Sequence, residues 1–173
     1  MMTKMKRKNS HVIIIREAHK DDAIIIKKIV ESVAAEKYYV VQEHSREDWN
    51  SAIKEINERK GLIIIAEANG NPAGMAYIVP GKFKKNKHVG FLGISIFKTF
   101  RRISAGTALM GYILDWSKKQ KELEKISLTV FSTNKAAINL YKKFGFEIEG
   151  ISKKQFKIAG KYVDEVIMGK ILN

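Results

Sequence analysis

Apolar positions recur along the chain with two different periods, which predict strands and helices. Short apolar runs bounded by turn residues are typical of buried strands. They predict seven strands, at residues 12–16, 62–68, 73–79, 89–97, 126–131 and two more between 146 and about 168. Apolar spacings near 3.6 residues predict four helices, at about 21–36, 45–59, 105–119 and 134–144.

Turn and capping signals set the expected boundaries of these elements. Asp21 and Asp22 place acidic residues in the first turn of the first helix. Ser45 and Asp48 form a capping-box pattern for the second helix. The run Asn69-Gly70-Asn71-Pro72 predicts a hairpin turn. Strands precede and follow the helices, with a strand-helix-strand unit in the middle, so the order predicts one mixed α/β (α+β) domain.

Composition limits the class of protein. A chain of 173 residues with a hydrophobic fraction of 45% is long enough for one domain with a core. No apolar window is long enough to span a bilayer, and the charged N-terminus is not followed by the apolar segment of a secretory signal. The absence of cysteine excludes disulfides and thiolate chemistry and favours a reducing, cytoplasmic setting. Residues 1–10 are predicted to be a disordered basic leader before a domain at 11–173.

The formal net charge of +14 attracts anionic partners in principle. The lysines cluster at residues 4–8, 82–87, 118–125 and 153–161. These clusters are scattered and lack interleaved stacking aromatics, which disfavours nucleic-acid binding and favours a solvated lysine-rich surface.

Two segments carry candidate chemistry. The first joins an apolar strand to a helix start and contains Arg101, Arg102, Ile103, Ser104, Ala105, Gly106 and Thr107. Exposed amides and the helix dipole attract phosphate at such a point. The second runs from Asn134 to Phe146 and places Ala137, Leu140, Tyr141 and Phe144 on one side of a short helix that Gly145 ends. Taken alone, the second pattern favours an ordinary core tyrosine, and Asn134 at the helix start has the ordinary role of a capping residue.

Together these segments resemble the GNAT superfamily of N-acetyltransferases. The family reads Arg/Gln-x-x-Gly-x-Gly/Ala in its pyrophosphate loop, and Arg101, Ser104 and Gly106 occupy those positions, with Ser104 in place of the first glycine. The family pattern N-x-x-A-x-x-L-Y-x-x-x-G-F is matched in full at 134–146. The tail at 149–168 is similar to the branches that acetylate ribosomal-protein alanine or small amines. The resemblance extends over about residues 11–170.

The resemblance implies a central, mostly antiparallel twisted sheet of six or seven strands, about four flanking helices and a splayed strand pair at the acyl-CoA site. It also implies acetyl-CoA as co-substrate, an amine acceptor and no metal. The residues implied to bind the cofactor are Ile94, Ile96, Arg101, Arg102, Ile103, Ser104, Ala105, Gly106, Thr107, Asn134, Tyr141 and Lys143. Tyr141 is the implied general acid, and the amine attacks the thioester directly without a covalent enzyme intermediate.

The general base is unassigned. Where many relatives carry a strand carboxylate, this chain has Phe91, Gly93 and Thr129. Glu43 is a weak candidate, and Glu67 and His88 are weaker ones.

An alternative function keeps the same fold without efficient catalysis, as a basic binding protein associated with the ribosome or RNA. Ser104 and the missing strand carboxylates favour it, whereas Tyr141 and Asn134 argue against it. The scattered histidines show no metal-ligand spacing, and the single loop glycine disfavours a Rossmann dinucleotide site. A peptide N-terminus, an amino acid, a polyamine and an antibiotic remain open as acceptors, expected near 38–48 and 152–162. The oligomeric state is open, with a homodimer the ordinary expectation.

Overall fold

The computed structural model describes residues 12–36 and 48–172, in which seven strands form one sheet flanked by four α-helices. The strands are β1 (Ile13–Glu17), β2 (Leu62–Ala68), β3 (Asn71–Pro80), β4 (Val89–Ile96), β5 (Lys125–Phe131), β6 (Glu147–Ile158) and β7 (Lys161–Ile171). The helices are α1 (Ala23–Ala34), α2 (Trp49–Glu58), α3 (Ala105–Lys118) and α4 (Lys135–Lys143). The predicted mixed α/β class and the numbers of strands and helices are confirmed. The predicted leader at 1–10 lies outside the described residues.

The sheet has the order β1-β2-β3-β4-β5-β7-β6, and every neighbouring pair is antiparallel except β4 and β5. The parallel β4–β5 pairing covers only Val89↔Lys125, Gly90↔Ile126 and Phe91↔Ser127. Beyond these three pairs the two strands separate. The predicted splayed strand pair is therefore confirmed, and it opens the middle of the sheet.

Helices cover both faces of the sheet. Side chains alternate between the two faces along each strand, and apolar side chains point to both faces. Ala76 and Ile78 of β3 contribute to a core with α3 and α4 on one face. Met75 and Val79, on the opposite side of the same strand, pack with α1 and α2. Burying both faces explains why β2 is apolar along nearly its whole length rather than alternating with polar residues.

The residues that α3 and α4 bury largely match the predicted buried faces of these helices. Leu109 and Ile113 of α3 are fully buried, while Tyr112 and Trp116 are half-buried against the same core. Tyr141 of α4 is buried as the pattern predicts, but Ile138, which was not among the predicted positions, is the other buried residue of that helix.

The β2–β3 turn is tighter than predicted. Asn69 and Gly70 have φ angles of 51° and 78°, and β3 already begins at Asn71. Two left-handed residues form the compact turn that suits a twisted hairpin. Pro72 lies inside β3, opposite Glu67, where the register shifts. A bulge tolerates a residue that has no N–H to donate.

The N-cap of α2 is Asp48, whose side chain accepts a hydrogen bond from the Asn50 N–H at 3.0 Å. The helix starts at Trp49, so the predicted start at Ser45 is too early, and Ser45 itself lies outside the described residues. Asp48 replaces Ser45 as the capping group because it is the residue directly before the first helical turn.

Candidate active site

A cleft of about 630 Å³ lies where β4 and β5 separate. One side is lined by α3, α4 and the loop before α3, and the other by α1, α2 and Tyr77 of β3. Ile94 and Ile96 of β4 and Leu128 and Val130 of β5 border the gap itself. On the side away from β3, no strand of residues 12–36 and 48–172 pairs with the β4 backbone beyond Phe91. Its polar groups, apart from the Ile96 carbonyl, are therefore available to a ligand that enters the gap.

The loop before α3 has an unusual backbone. Arg102 and Ser104 both have left-handed φ angles, 63° and 72°. Ser104 is the N-cap of α3 and makes no side-chain cap hydrogen bond. The amides of the first helical turn have no partner within the helix and carry its partial positive charge. This turn can therefore receive an anion through its backbone.

Replacing Ser104 with glycine is expected to stabilise the fold. A left-handed φ angle costs a residue that has a Cβ about 1–2 kcal/mol. Glycine avoids this cost, but its greater conformational freedom in the unfolded chain offsets about 0.4–1 kcal/mol of the gain. We predict that Ser104→Gly raises the free energy of unfolding in urea by about 0.5–1 kcal/mol. Ser32→Gly, within helix α1, is the matched control and is expected to lower it by about 0.5 kcal/mol. Destabilisation by Ser104→Gly would contradict the backbone geometry.

Gly106 sits in the first turn of α3, against α4 and β4. A Cβ built there would lie 3.1 Å from Leu140 Cδ2 and 3.2 Å from Ile96 Cδ1. Both neighbours line the cleft. The glycine thus lets the start of α3 approach the splayed strand and keeps the first turn of α3 open to the cleft.

Arg101 is held by a carboxylate on the opposite side of the cleft. Its guanidinium donates to both carboxylate oxygens of Glu36, at 2.8 and 2.6 Å, and to the Ile96 carbonyl at 3.2 Å. The hydrogen bonds from Arg101 keep the pKa of Glu36 below its ordinary range. The pair links the loop before α3 to the residues that follow α1, and it places the Arg101 charge beside the loop.

The Glu36–Arg101 pair is expected to make folding stability depend on acid pH. Because the pKa of Glu36 is lower in the folded protein, its contribution is complete above the ordinary value of 4.5 and is lost as pH falls through the lower folded value. We predict that the free energy of unfolding of Glu36→Gln, measured by urea titration, falls less between neutral and acid pH than that of the wild-type chain. At neutral pH, Glu31→Gln within α1 removes only an exposed pair with Lys27 and should change little. An unchanged acid profile in Glu36→Gln would contradict the pair's role.

Asn134 and Tyr141 line the cleft at α4. The Asn134 side chain caps α4 by accepting from the Ala137 N–H at 3.1 Å. Tyr141 is 7% exposed, and its ring packs 5.9 Å from that of Phe146. Burial, and to a lesser extent neighbouring Tyr77, raises the pKa of Tyr141 to about 12. The hydroxyl therefore stays protonated at neutral pH while its residue lines the cleft.

Tyr77 is a cleft residue that the sequence patterns did not identify. It pairs in register with Gly93 of β4, and any Cβ at position 93 would overlap the Tyr77 ring. A Cβ there would also lie 2.7 Å from the Tyr77 hydroxyl oxygen. The tyrosine thus covers the strand position at which the family resemblance led us to look for a carboxylate. A glycine inside an apolar strand was the one available signal for such a close approach.

Nine of the twelve residues expected to bind the cofactor line the cleft: Ile94, Ile96, Arg101, Arg102, Ser104, Gly106, Thr107, Asn134 and Tyr141. Ile103, Ala105 and Lys143 are not lining residues, and Lys143 is exposed at the end of α4.

None of the three candidate bases is among the cleft-lining residues that the structure describes. Glu67 accepts from Arg16 Nε at 2.8 Å on β2 and lies outside the lining, as does His88 before β4. Glu43 falls outside the described residues. Among residues 12–36 and 48–172 there is no cluster of His, Asp or Glu suited to a metal ion. No helix within these ranges is long and apolar enough to cross a membrane.

Comparison with known proteins gives consistent matches. The chain is 32% identical over 108 residues to the L-amino acid N-acetyltransferase AaaT of Escherichia coli, covering 62% of this chain and 67% of that enzyme. A GNAT-family acetyltransferase from Streptococcus pneumoniae superposes with a TM-score of 0.83 at 28% identity, covering 92% of this chain and 99% of that one.

The yncA structure from Salmonella typhimurium, solved with acetyl-CoA, has the same fold (TM-score 0.83, 17% identity, 94% and 95% coverage). The family model for the GNAT acetyltransferases matches residues 26–146, which include the loop before α3, the splayed strands and α4. This chain belongs to the GNAT acetyltransferase family.

Proposed function

We propose that the protein is an acetyl-CoA-dependent N-acetyltransferase that acts on a primary amine, either a protein N-terminus or a small-molecule amine. The observation that carries the proposal is the continuity of the cleft. It runs from the open first turn of α3, through the gap between β4 and β5, to the buried hydroxyl of Tyr141.

The donor site is formed mainly by backbone. The amides from Arg102 to Thr107 bind the pyrophosphate at the positive end of α3, and Arg101 adds charge beside them. The β4 backbone at Ile94 and Ile96, on the side away from β3, binds the pantetheine arm in the manner of an added strand, while the Ile96 carbonyl also accepts from Arg101. Asn134 lines the same path, and its carbonyl oxygen is already used to cap α4, which leaves its amide group to donate.

The chemistry that bound acetyl-CoA supplies is an acetyl group activated as a thioester. Transfer forms a bond between the amine nitrogen and the acetyl carbon and breaks the carbon–sulfur bond. Tyr141 donates its proton to the departing thiolate and regains one from solvent before the next cycle. A β4 amide polarises the carbonyl oxygen.

The proton lost by the amine needs an acceptor. No carboxylate or histidine of residues 12–36 and 48–172 lines the cleft. Water relayed past the hydroxyls of Ser95, Ser127 and Thr129 is the route that the described residues support, and Glu43 stays a prediction. An amine that enters in its neutral form needs no base at all.

The test is acetyl transfer by the purified chain. A panel of primary amines is incubated with acetyl-CoA, thiol release is followed, and the acetylated product is identified by mass spectrometry. Amine-dependent thiol release with a matching product supports the proposal. No transfer, together with RNA binding that weakens steeply as salt rises, would instead support the basic binding protein. The cytoplasmic location and the homodimer stay predictions alongside this proposal.

A further inference from the structure

The two sides of the cleft differ in chemistry. The donor side carries the loop before α3 and the polar Thr107 and Asn134. The opposite side, here called the α1–α2 wall, consists of Val30, Val33, Trp49, Ile56, Tyr77 and Phe91. Val33, Trp49 and Ile56 of this wall are buried, and Phe91 is 41% exposed. Five of its six side chains are hydrocarbon apart from the indole N–H of Trp49, and the sixth ends in a neutral hydroxyl.

The wall is also uncharged. The charged lining residues among 12–36 and 48–172 are Arg101 and Arg102, both on the loop before α3. The floor between wall and donor side offers the neutral hydroxyls of Ser95, Ser127 and Thr129. A neutral floor can orient an amine and a neighbouring carbonyl by hydrogen bonds, but it cannot neutralise a second cationic group.

This difference discriminates between acceptors. A polyamine or aminoglycoside keeps cations besides the reacting amine, and burying an unpaired cation is costly. Arg101 is paired with Glu36, so the repulsion comes from Arg102 and the net charge of +14. An apolar substituent, by contrast, gains by leaving water against the wall.

We infer that the acceptor is an amine whose neighbouring substituent is apolar, aliphatic or aromatic, and that the α1–α2 wall selects it. The inference rests on the proposed function and specifies its acceptor. A free amino acid and a peptide N-terminus share this chemistry.

The first experiment compares two acceptors of nearly equal length. L-Norleucine and L-lysine differ in that lysine adds an ammonium group at the end of the side chain. Acetylation of the α-amine is measured by mass spectrometry for each, with spermidine as the polycationic acceptor. We expect kcat/KM for norleucine to exceed that for lysine and for spermidine by about tenfold or more. Tripeptides that begin with norleucine or with lysine are tested in the same way. Comparing them with the free amino acids distinguishes a peptide acceptor from a free amino acid.

Two variants test the wall itself. Val30→Glu and Phe91→Glu each place a carboxylate on it, and Phe91 is exposed enough to tolerate the change if Val30→Glu fails to fold. Each is expected to reduce the preference for norleucine over lysine by about tenfold, because the carboxylate pairs with the lysine ammonium. Ile24→Glu is the matched control, since Ile24 is on α1, 70% exposed and away from the cleft, and it should leave the preference unchanged.

The outcomes separate the two proposals. Equal or greater use of lysine or spermidine overturns the inference while the acetyltransferase function stands. A norleucine preference that neither wall variant alters also overturns it. If acetyl-CoA does not bind at all, the proposed function fails, and the choice of acceptor fails with it.

Discussion

Tyr141→Phe is expected to lower kcat by about 100- to 10,000-fold, the usual contribution of a positioned general acid. The variant keeps the buried ring against Phe146 and removes only the hydroxyl that we propose protonates the thiolate. The KM for acetyl-CoA should change little, because the proposed donor site consists of the loop before α3 and β4. Steady-state kinetics at varied acetyl-CoA separate the two constants. Tyr112→Phe, on α3 and outside the cleft lining, is the matched control and should have wild-type activity.

The pKa of Tyr141 gives this prediction a pH signature. Since burial raises that pKa to about 12, the hydroxyl stays protonated through the alkaline range, and Tyr141 contributes no loss of kcat below about pH 11. The same shift favours folding below the ordinary tyrosine pKa of 10.0, and that contribution is lost as pH rises from 10 through 12. Tyr141→Phe should remove this part of the alkaline destabilisation. Wild-type kcat in the variant would exclude Tyr141 as the acid.

Gly106→Asp is expected to weaken acetyl-CoA binding by more than about 100-fold, because like charges brought together at an interface cost several kcal/mol. The added Cβ would lie 3.1 Å from Leu140 Cδ2 and 3.2 Å from Ile96 Cδ1, and the variant adds a negative charge to the first turn of α3, where we propose that the pyrophosphate binds. An acidic residue in the first turn favours the helix itself, so the fold should survive. Binding is measured by isothermal titration calorimetry.

Gly111→Asp supplies the matched control for this loss. Gly111 lies on the same helix, and a Cβ there meets nothing within 4 Å. Both variants add the same charge, so any general effect of lowering the net charge appears in each. Retained affinity in Gly106→Asp, or equal loss in both variants, would show that the first turn of α3 is not the pyrophosphate site.

The fold was largely predictable because its signals are local. Apolar runs between turn residues located the strands, and a capping side chain at the start with a glycine after the end bounded two of the four helices, α2 and α4. The errors arose where two local signals competed. At Ser45 and Asp48 two capping residues are close together in the sequence, and the helix begins at Trp49, directly after the Asp48 cap.

The site was predictable only where a motif carries it. The loop before α3 and the Asn134–Tyr141 pair are contiguous in sequence, so their pattern was readable. Tyr77 and the Glu36–Arg101 pair depend on contacts between residues 16 and 65 positions apart, which sequence periodicity does not encode. The α1–α2 wall likewise consists of residues from four separate elements, and its apolar residues look like ordinary core positions in the sequence.

Thermal unfolding with and without acetyl-CoA tests most directly whether the cleft binds the acetyl donor. At a concentration about 100 times the dissociation constant, one site adds about 2.7 kcal/mol and raises the midpoint by about 5 to 10 °C. A saturable rise of this size in the wild-type chain is the expected result. An unchanged midpoint at millimolar acetyl-CoA would contradict donor binding between β4 and β5.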